Sequence, residues 1–189
     1  MRVIAGRLGG RRLKAPAGTR TRPTAERVRE AVFAMLEDVE GARVLDLFAG
    51  SGALGIEALS RGAGAAVFVE RDPSALRVLR ENVQALGLAG APAAAGGPLA
   101  EVRRADAVRA LHAARGREET YDLVFIDPPY DRALDLGRRL TAELPPLLAP
   151  GARVVLESSR RAPLALEMAV VRTRRYGDTS ITIHRHDPS

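Results

Sequence analysis

The stretch Leu45-Asp46-Leu47-Phe48-Ala49-Gly50-Ser51-Gly52-Ala53-Leu54-Gly55 limits what this chain can fold into more than any other segment. The apolar run over 43–48 predicts a short, mostly buried strand, and it stops at a cluster of glycines. A helix predicted over 53–61 starts directly afterwards. Glycine lets a backbone turn sharply and approach a ligand closely, and a fresh helix N-terminus offers unpaired N–H groups. A strand that feeds a helix in this way opens a strand–helix–strand unit, which calls for a parallel partner strand.

The rest of the chain supplies such partners. Strands are predicted over 65–70, 100–105, 121–127 and 153–158. Helices are predicted from Asp72-Pro73 to about Leu86, over 106–115, and over 133–143 before Pro145-Pro146. Residues 170–175 and 180–184 read as an antiparallel pair around Gly177-Asp178. Alternation of this kind predicts an α/β fold, a parallel sheet with helices on both faces. The Ala/Pro/Gly-rich stretch 87–98 reads as a flexible insertion without chemistry. Ahead of the sheet, Thr24 looks like an N-cap for an amphipathic helix over 25–39. Val3-Ile4-Ala5 and Arg11-Arg12-Leu13-Lys14 flank Gly9-Gly10 as a small hairpin.

Charge divides the chain into unequal parts. The 189 residues carry a net charge of +6. Residues 1–29 hold nine basic side chains against Glu26 alone, a net +8, which leaves −2 on the other 160. A cationic arm on a nearly neutral body points to a polyanionic partner. A charge run is more often just a solvated face. Here Val3, Ile4, Leu8 and Leu13 interleave with the charges, so the arm can order itself and present Arg2, Arg7, Arg11, Arg12, Lys14, Arg20 and Arg22 outward. Arginine makes up 28 of the 29 basic residues, which suits planar phosphate contacts, although genome composition produces the same excess.

Composition closes other routes. The chain is 46% hydrophobic and 28% charged, and its length suits one domain. It has no cysteine, so disulfides, iron–sulfur clusters and thiol nucleophiles are excluded. His112, His184 and His186 form no metal-ligand spacing and read as surface residues. No apolar run approaches the roughly 18 residues of a membrane span. The chain start lacks a signal-peptide pattern, so a cytoplasmic protein without membrane contact is expected.

Two segments carry chemistry. Gly50, Gly52 and Gly55 match a dinucleotide fingerprint, and Glu70 follows at the end of the next strand, so an NAD-binding domain is a real rival. Asp46 separates the alternatives. A carboxylate beside the turn repels a pyrophosphate but favours the cationic ammonium and sulfonium of S-adenosylmethionine. The blander role for Asp46 is to hydrogen-bond N–H groups of the loop. Glu70 at a strand end serves ribose hydroxyls with either cofactor, and is otherwise a solvated acid. Ser51 reads as part of the turn, since no triad partner is evident.

The second segment is Phe125-Ile126-Asp127-Pro128-Pro129-Tyr130, at the carboxyl end of a strand. Two prolines stiffen the turn and leave carbonyl oxygens outward. The Asp127 carboxylate plus a neighbouring carbonyl makes two acceptors for an –NH₂ group. Such a pair can hold a nucleobase amine and stabilise the positive charge of methyl attack. Tyr130 offers a stacking face. A tight turn with a surface aromatic is the bland reading.

Together these segments resemble the amino-methyltransferases of the class I, S-adenosylmethionine-dependent fold. Met1 to Gly6, Arg11-Arg12-Leu13, Thr21 to Thr24, Arg27 to Ala31, Asp46 to Gly55 and Glu57 to Ala63 are further similar to the RsmD family. That resemblance implies a Rossmann-like, seven-stranded, mostly parallel sheet with the last strand antiparallel. It implies methylation of guanine N2 in 16S rRNA, at guanine 966, on naked rRNA or within the small ribosomal subunit. It implies catalytic roles for Asp127, Pro128, Pro129 and Tyr130. It implies cofactor contacts from Asp46, Phe48, Ala49, Gly50, Ser51, Gly52, Glu70 and Arg71, with Asp106 near the adenine. Residues 1–23 become an RNA-contacting extension and 24–189 the catalytic domain, in a monomer. An adenine-N6 methyltransferase on DNA or RNA, an NAD-dependent oxidoreductase and a non-catalytic RNA-binding module are the other readings.

Overall fold

β1 (Arg43–Leu47) lies inside a seven-stranded sheet, parallel to β2 (Ala65–Glu70) on one side and β4 (Tyr121–Ile126) on the other. Val44, Leu45 and Leu47 are buried on alternate faces, as a central parallel strand requires. The computed structural model describes residues 1–16, 23–36, 38–92, 99–128, 133–159 and 163–188. β3 (Ala100–Arg104), β5 (Leu148–Ser159), β6 (Ala169–Tyr176) and β7 (Thr179–Arg185) complete the order β3-β2-β1-β4-β5-β7-β6. The chain runs outward from β1 to β3 and then returns to start β4 beside β1. Strand order therefore reverses between β1 and β4, the place where open α/β sheets bind ligands. β7 runs antiparallel to both β5 and β6.

Each face has its own helices. α1 (Pro23–Leu36), α2 (Ala53–Ser60) and α3 (Pro73–Ala85) pack with Val44, Phe68, Phe125, Val155, Ile181 and Ile183. α4 (Ala107–Arg115) and α5 (Ala133–Glu143) pack on the other face with Leu45, Leu47, Val69, Ile126, Val154 and Leu156. The alternation within β1, from Leu123 onward in β4 and from Ala152 onward in β5 sets which face any later residue on these strands addresses.

Local chemistry explains most element ends. Asp72 caps α3, its Oδ1 accepting from Ser74 N–H at 3.0 Å and Ala75 N–H at 2.8 Å, with Pro73 in the first helical position. α1 buries Val28, Val32, Met35 and Leu36 along one stripe. It begins at Pro23, ahead of the expected Thr24 cap, because proline is itself suited to a first turn. It ends at Leu36, and Val39 enters the core from the following segment. β5 is longer than expected and begins at Leu148; its pairing with β4 slips between Tyr121 and Leu123. In the expected insertion, Leu88 is buried in the core and Leu99 N–H bonds the Ala91 carbonyl at 2.7 Å; residues 93–98 lie outside the described ones.

Two expectations are corrected. His184 is buried, 3% exposed, with Nδ1 at 3.1 Å from the Met168 carbonyl oxygen. It sits on β7 opposite Val154, so the alternation of an inner strand buries it. His112 is exposed, 3.0 Å from Glu143 Oε1, and His186 is half-buried. The hairpin is also not closed by a two-residue Gly-Gly turn. Arg2 and Arg12 form a lone antiparallel bridge, and the loop between them turns towards α2. There Ile4 and Ala5 donate their N–H groups to Glu57 at 2.8 and 3.0 Å, and Arg7 N–H bonds the Ser60 carbonyl at 2.8 Å. Gly6 makes this possible, with φ +78° and a site where a Cβ would stand 1.8 Å from the Ser60 oxygen.

Candidate active site

Four carboxylates gather at the carboxyl edge of the sheet, and the register shows why. Asp46 lies opposite Phe68 on β2 and Phe125 on β4. Phe68 and Phe125 belong to the α1–α3 face, and so does Asp46. By the same alternation Glu70, two residues after Phe68, and Asp127, two after Phe125, address that face. Ile126 pairs with Leu156, so the next residues, Asp127 and Glu157, are neighbours across β4 and β5.

Asp46 is buried, 2% exposed, and its Oδ2 accepts the Gly55 N–H at 2.9 Å. Burial pushes its carboxyl up to about 7; the Gly55 bond opposes this, and the charges of Asp127 and Glu70 add to it. The turn that follows is tightly specified. Phe48 has φ +62°, Gly50 +56° and Gly52 +82°. A side chain in Phe48's conformation is strained, and such strain concentrates where a backbone must meet a ligand. Ala49 N–H bonds the Val69 carbonyl at 3.0 Å and Gly52 N–H bonds the Ala49 carbonyl at 2.7 Å. A Cβ on Gly52 would stand 2.4 Å from Leu79 Cδ1, whereas one on Gly50 would meet only the Phe48 oxygen at 3.9 Å. The inner side of the turn is therefore packed and its outer side open.

Glu70 holds the turn from β2. Its Oε2 accepts the Gly50 N–H at 2.9 Å and its Oε1 the Asp72 N–H at 2.7 Å. Arg71 is exposed, its Nη1 3.9 Å from Asp106 Oδ2. Asp106 caps α4 by accepting from Val108 N–H at 3.1 Å. Ser51 is buried, and its carbonyl accepts from Asn82 Nδ2 at 2.9 Å.

Asp127 follows β4, with Pro128 buried behind it. Asp127 is itself exposed, and desolvation by the protein packed around it pushes its carboxyl up to about 6. Half-buried Glu157 is pushed up to about 8, first by burial and then by the charge of Asp127. Pro129 and Tyr130 lie outside the described residues, as do Arg20 and Arg22.

The arm's cations are divided between docking and display. Arg7 Nε donates to the Leu59 carbonyl at 3.3 Å and Arg11 Nη2 to the Ala85 carbonyl at 3.1 Å, each at a helix C-terminus where a cation is favoured. Lys14 Nζ pairs with Glu81 at 2.8 Å. Arg2 pairs loosely with Glu26 at 3.8 Å and remains 68% exposed; Arg12 is exposed.

Three contributors escaped sequence reasoning. Glu157 lies inside β5, behind the apolar run Val154-Val155-Leu156, and only the register makes it a neighbour of Asp127. Asn82 interrupts the apolar stripe of α3, a signal that a buried amide needs partners; it binds Ser51 and both backbone groups of Lys14. Glu57 is fully buried on α2 and also pairs with Arg61 at 2.8 Å and Arg29 at 3.6 Å.

Comparison with known proteins agrees with this architecture. Residues 1–185 match the family described as Conserved hypothetical protein 95. Bacillus subtilis YlbH, a protein provisionally named an rRNA methyltransferase, is 42% identical over 190 residues, 98% of each chain. Ribosomal RNA small subunit methyltransferase D of Escherichia coli is 41% identical over 135 residues, covering 71% of this chain and 62% of that protein. The solved structure of Escherichia coli yhhF, described as a methyltransferase by its name, superposes with a TM-score of 0.79 at 31% identity, over 100% of this chain and 99% of that one. The chain belongs to the Conserved hypothetical protein 95 family, the RsmD-type rRNA methyltransferases with a Rossmann-like fold.

Proposed function

We propose that the protein transfers a methyl group from S-adenosylmethionine to N2 of a guanine in 16S rRNA, guanine 966 in particular. The β1–β4 register carries this reading. Asp127 stands two residues beyond the position paired with Asp46, about 8 Å away from strand rise and spacing. An amine held at Asp127 is thus adjacent to whatever the glycine turn holds, at the point where strand order reverses.

The residues fit the cofactor. The open outer side of Gly50 admits close approach, and the carboxylates Asp46, Glu70 and Asp127 favour a cationic ligand over a pyrophosphate. When bound, S-adenosylmethionine supplies an activated methyl on a sulfonium. Asp46, committed through Oδ2 to Gly55, fixes the turn and contributes negative charge. Phe48, Ala49, Gly50, Ser51 and Gly52 form the cradle for the methionine end. Glu70 exchanges part of its hold on the Gly50 and Asp72 amides for ribose hydroxyls, and Arg71 with Asp106 borders the adenine.

The guanine leaves its stack to enter the crevice. The Asp127 carboxylate and the Pro128 carbonyl accept the two amine hydrogens, Pro129 stiffens the turn and Tyr130 stacks on the base. Positive charge that develops on the amine is stabilised by Asp127 beside Glu157. The Asp127 carboxylate, its pKa raised to about 6, then takes the proton that the methylated amine loses. Residues 1–23 serve as the RNA-contacting extension of the catalytic domain 24–189, which acts as a cytoplasmic monomer.

Nucleoside mass spectrometry of 16S rRNA from cells lacking the gene tests this reading. N2-methylguanosine is expected to disappear from one site and return with the wild-type gene. An unchanged rRNA profile, or a loss of N6-methyladenine from DNA instead, contradicts it.

A further inference from the structure

β6 closes the sheet on the side away from β3, and every residue from Ala169 to Arg175 is exposed. The register fixes where its cations stand. β7 is antiparallel to β5 and β6, so β6 runs with β5 and its Tyr176 end lies at the carboxyl edge. Arg172 pairs with Ile183 and Arg174 with Ile181. Directly paired residues point to the same face of a sheet. Ile181 and Ile183 belong to the face that carries α1 and the N-terminal arm. Arg172 and Arg174 therefore extend that face beyond α1, while Arg175, paired with Ser180, addresses the opposite one.

The same rows measure the distance to the site. Arg174 pairs with Ile181, Ile181 with Glu157, and Glu157 neighbours Asp127. Three strand spacings make about 14 Å. A stacked single strand covers that distance in about four 3.4 Å steps. Among the described residues none of these three arginines forms an ion pair, in contrast to Lys14 on the arm. β6 itself contains no acid.

We propose that Arg172 and Arg174 contact the phosphates of the RNA strand whose base enters the site. This rests on the RNA methyltransferase reading above. Charge decides the occupant. Exposed Val170 and Val171, at 59% and 58%, would suit edge pairing with a second copy. A two-fold pairing along the full strand, however, gathers three arginines from each copy into one short ladder that holds no acid, and the crowded like charges destabilise it. A polyanion meets no such penalty, and arginine suits phosphate geometry. The arm and β6 then grip the strand from two sides of the crevice.

The test is the salt dependence of binding to a short labelled single-stranded RNA. Wild type is measured first, with methyl transfer to the same RNA. Substituting R172Q and R174Q together is expected to reduce the log–log slope by about 1.4, two contacts at about 0.7 each. R175Q, on the other face, is expected to keep the wild-type slope. Calorimetric S-adenosylmethionine binding is expected to be equal in all three. If wild type neither binds nor methylates RNA, the proposed function fails and this surface with it. If wild type does both and the double variant keeps its slope, the surface alone is wrong. Sedimentation showing a dimer that R172Q/R174Q strengthens would assign the strand to a second copy and also overturn the proposal.

Discussion

Asn82 donates through Nδ2 to the carbonyl oxygen of Ser51 at 2.9 Å, while the same amide holds the backbone of Lys14. One buried side chain thus joins the basic arm to the glycine turn. Arm position and turn geometry share a support.

Asn82→Ala is expected to lower stability by about 2 kcal/mol, since buried Ser51 and the part-buried backbone of Lys14 lose their partner. Affinity for S-adenosylmethionine should fall as well, because the turn loosens. Urea unfolding and calorimetry read the two effects. A variant with wild-type stability and affinity would show that water replaces the amide.

Glu57→Gln removes the charge that meets Arg29 and Arg61 and weakens the anchor of Ile4 and Ala5. Leaving buried Arg29 without its counter-charge costs about 3–5 kcal/mol. Hydrogen exchange should accelerate at the amides of Ile4 and Ala5 before it does in β1. Uniform protection in the variant would contradict this coupling.

Much of this was legible beforehand, for physical reasons. The alternation of apolar runs with capped helices marks strands such as 121–126 whatever their neighbours, and Asp72-Pro73 announces its helix by local chemistry alone. Asp46 at the turn and Asp127 at a strand end were readable for the same reason. The structure turned Asp46 inward to Gly55, the blander of the two roles weighed for it. Glu157, Asn82 and Glu57 were hidden because the partners Asp127, Ser51, Lys14, Ile4 and Ala5 are 30 to 68 residues away in sequence. His184 misled because a polar residue in a strand looks exposed until the neighbouring strands and the Met168 carbonyl are known.

Asp46 gives a pH signature. Its folded-state carboxyl sits near 7, above the ordinary 3.8, so the fold favours the protonated form. That contribution to stability is complete below about pH 4 and is lost as pH rises through 7. Asp46→Asn cannot ionise. Its stability relative to wild type should therefore rise between about pH 4 and 7, by a few kcal/mol at most (about 1.4 per pKa unit). Its affinity for S-adenosylmethionine should fall about tenfold at pH 8, where wild type carries the charge. Thermal melts and calorimetry across pH check both signs.

Gly52→Ala places a Cβ at φ +82° and 2.4 Å from Leu79 Cδ1. Strain and crowding together should cost about 1–3 kcal/mol and weaken cofactor binding more than RNA binding. Equal loss of both in binding assays would mean that the turn serves the whole fold and not the cofactor.

In the proposed reaction Asp127 acts on the amine and not on the cofactor. Single-turnover methyl transfer by Asp127→Ala, measured beside calorimetric S-adenosylmethionine binding, tests it most directly. The expected result is a rate lower by about 10²–10³ with cofactor affinity within a few-fold of wild type. Methyl transfer at a near wild-type rate would contradict it.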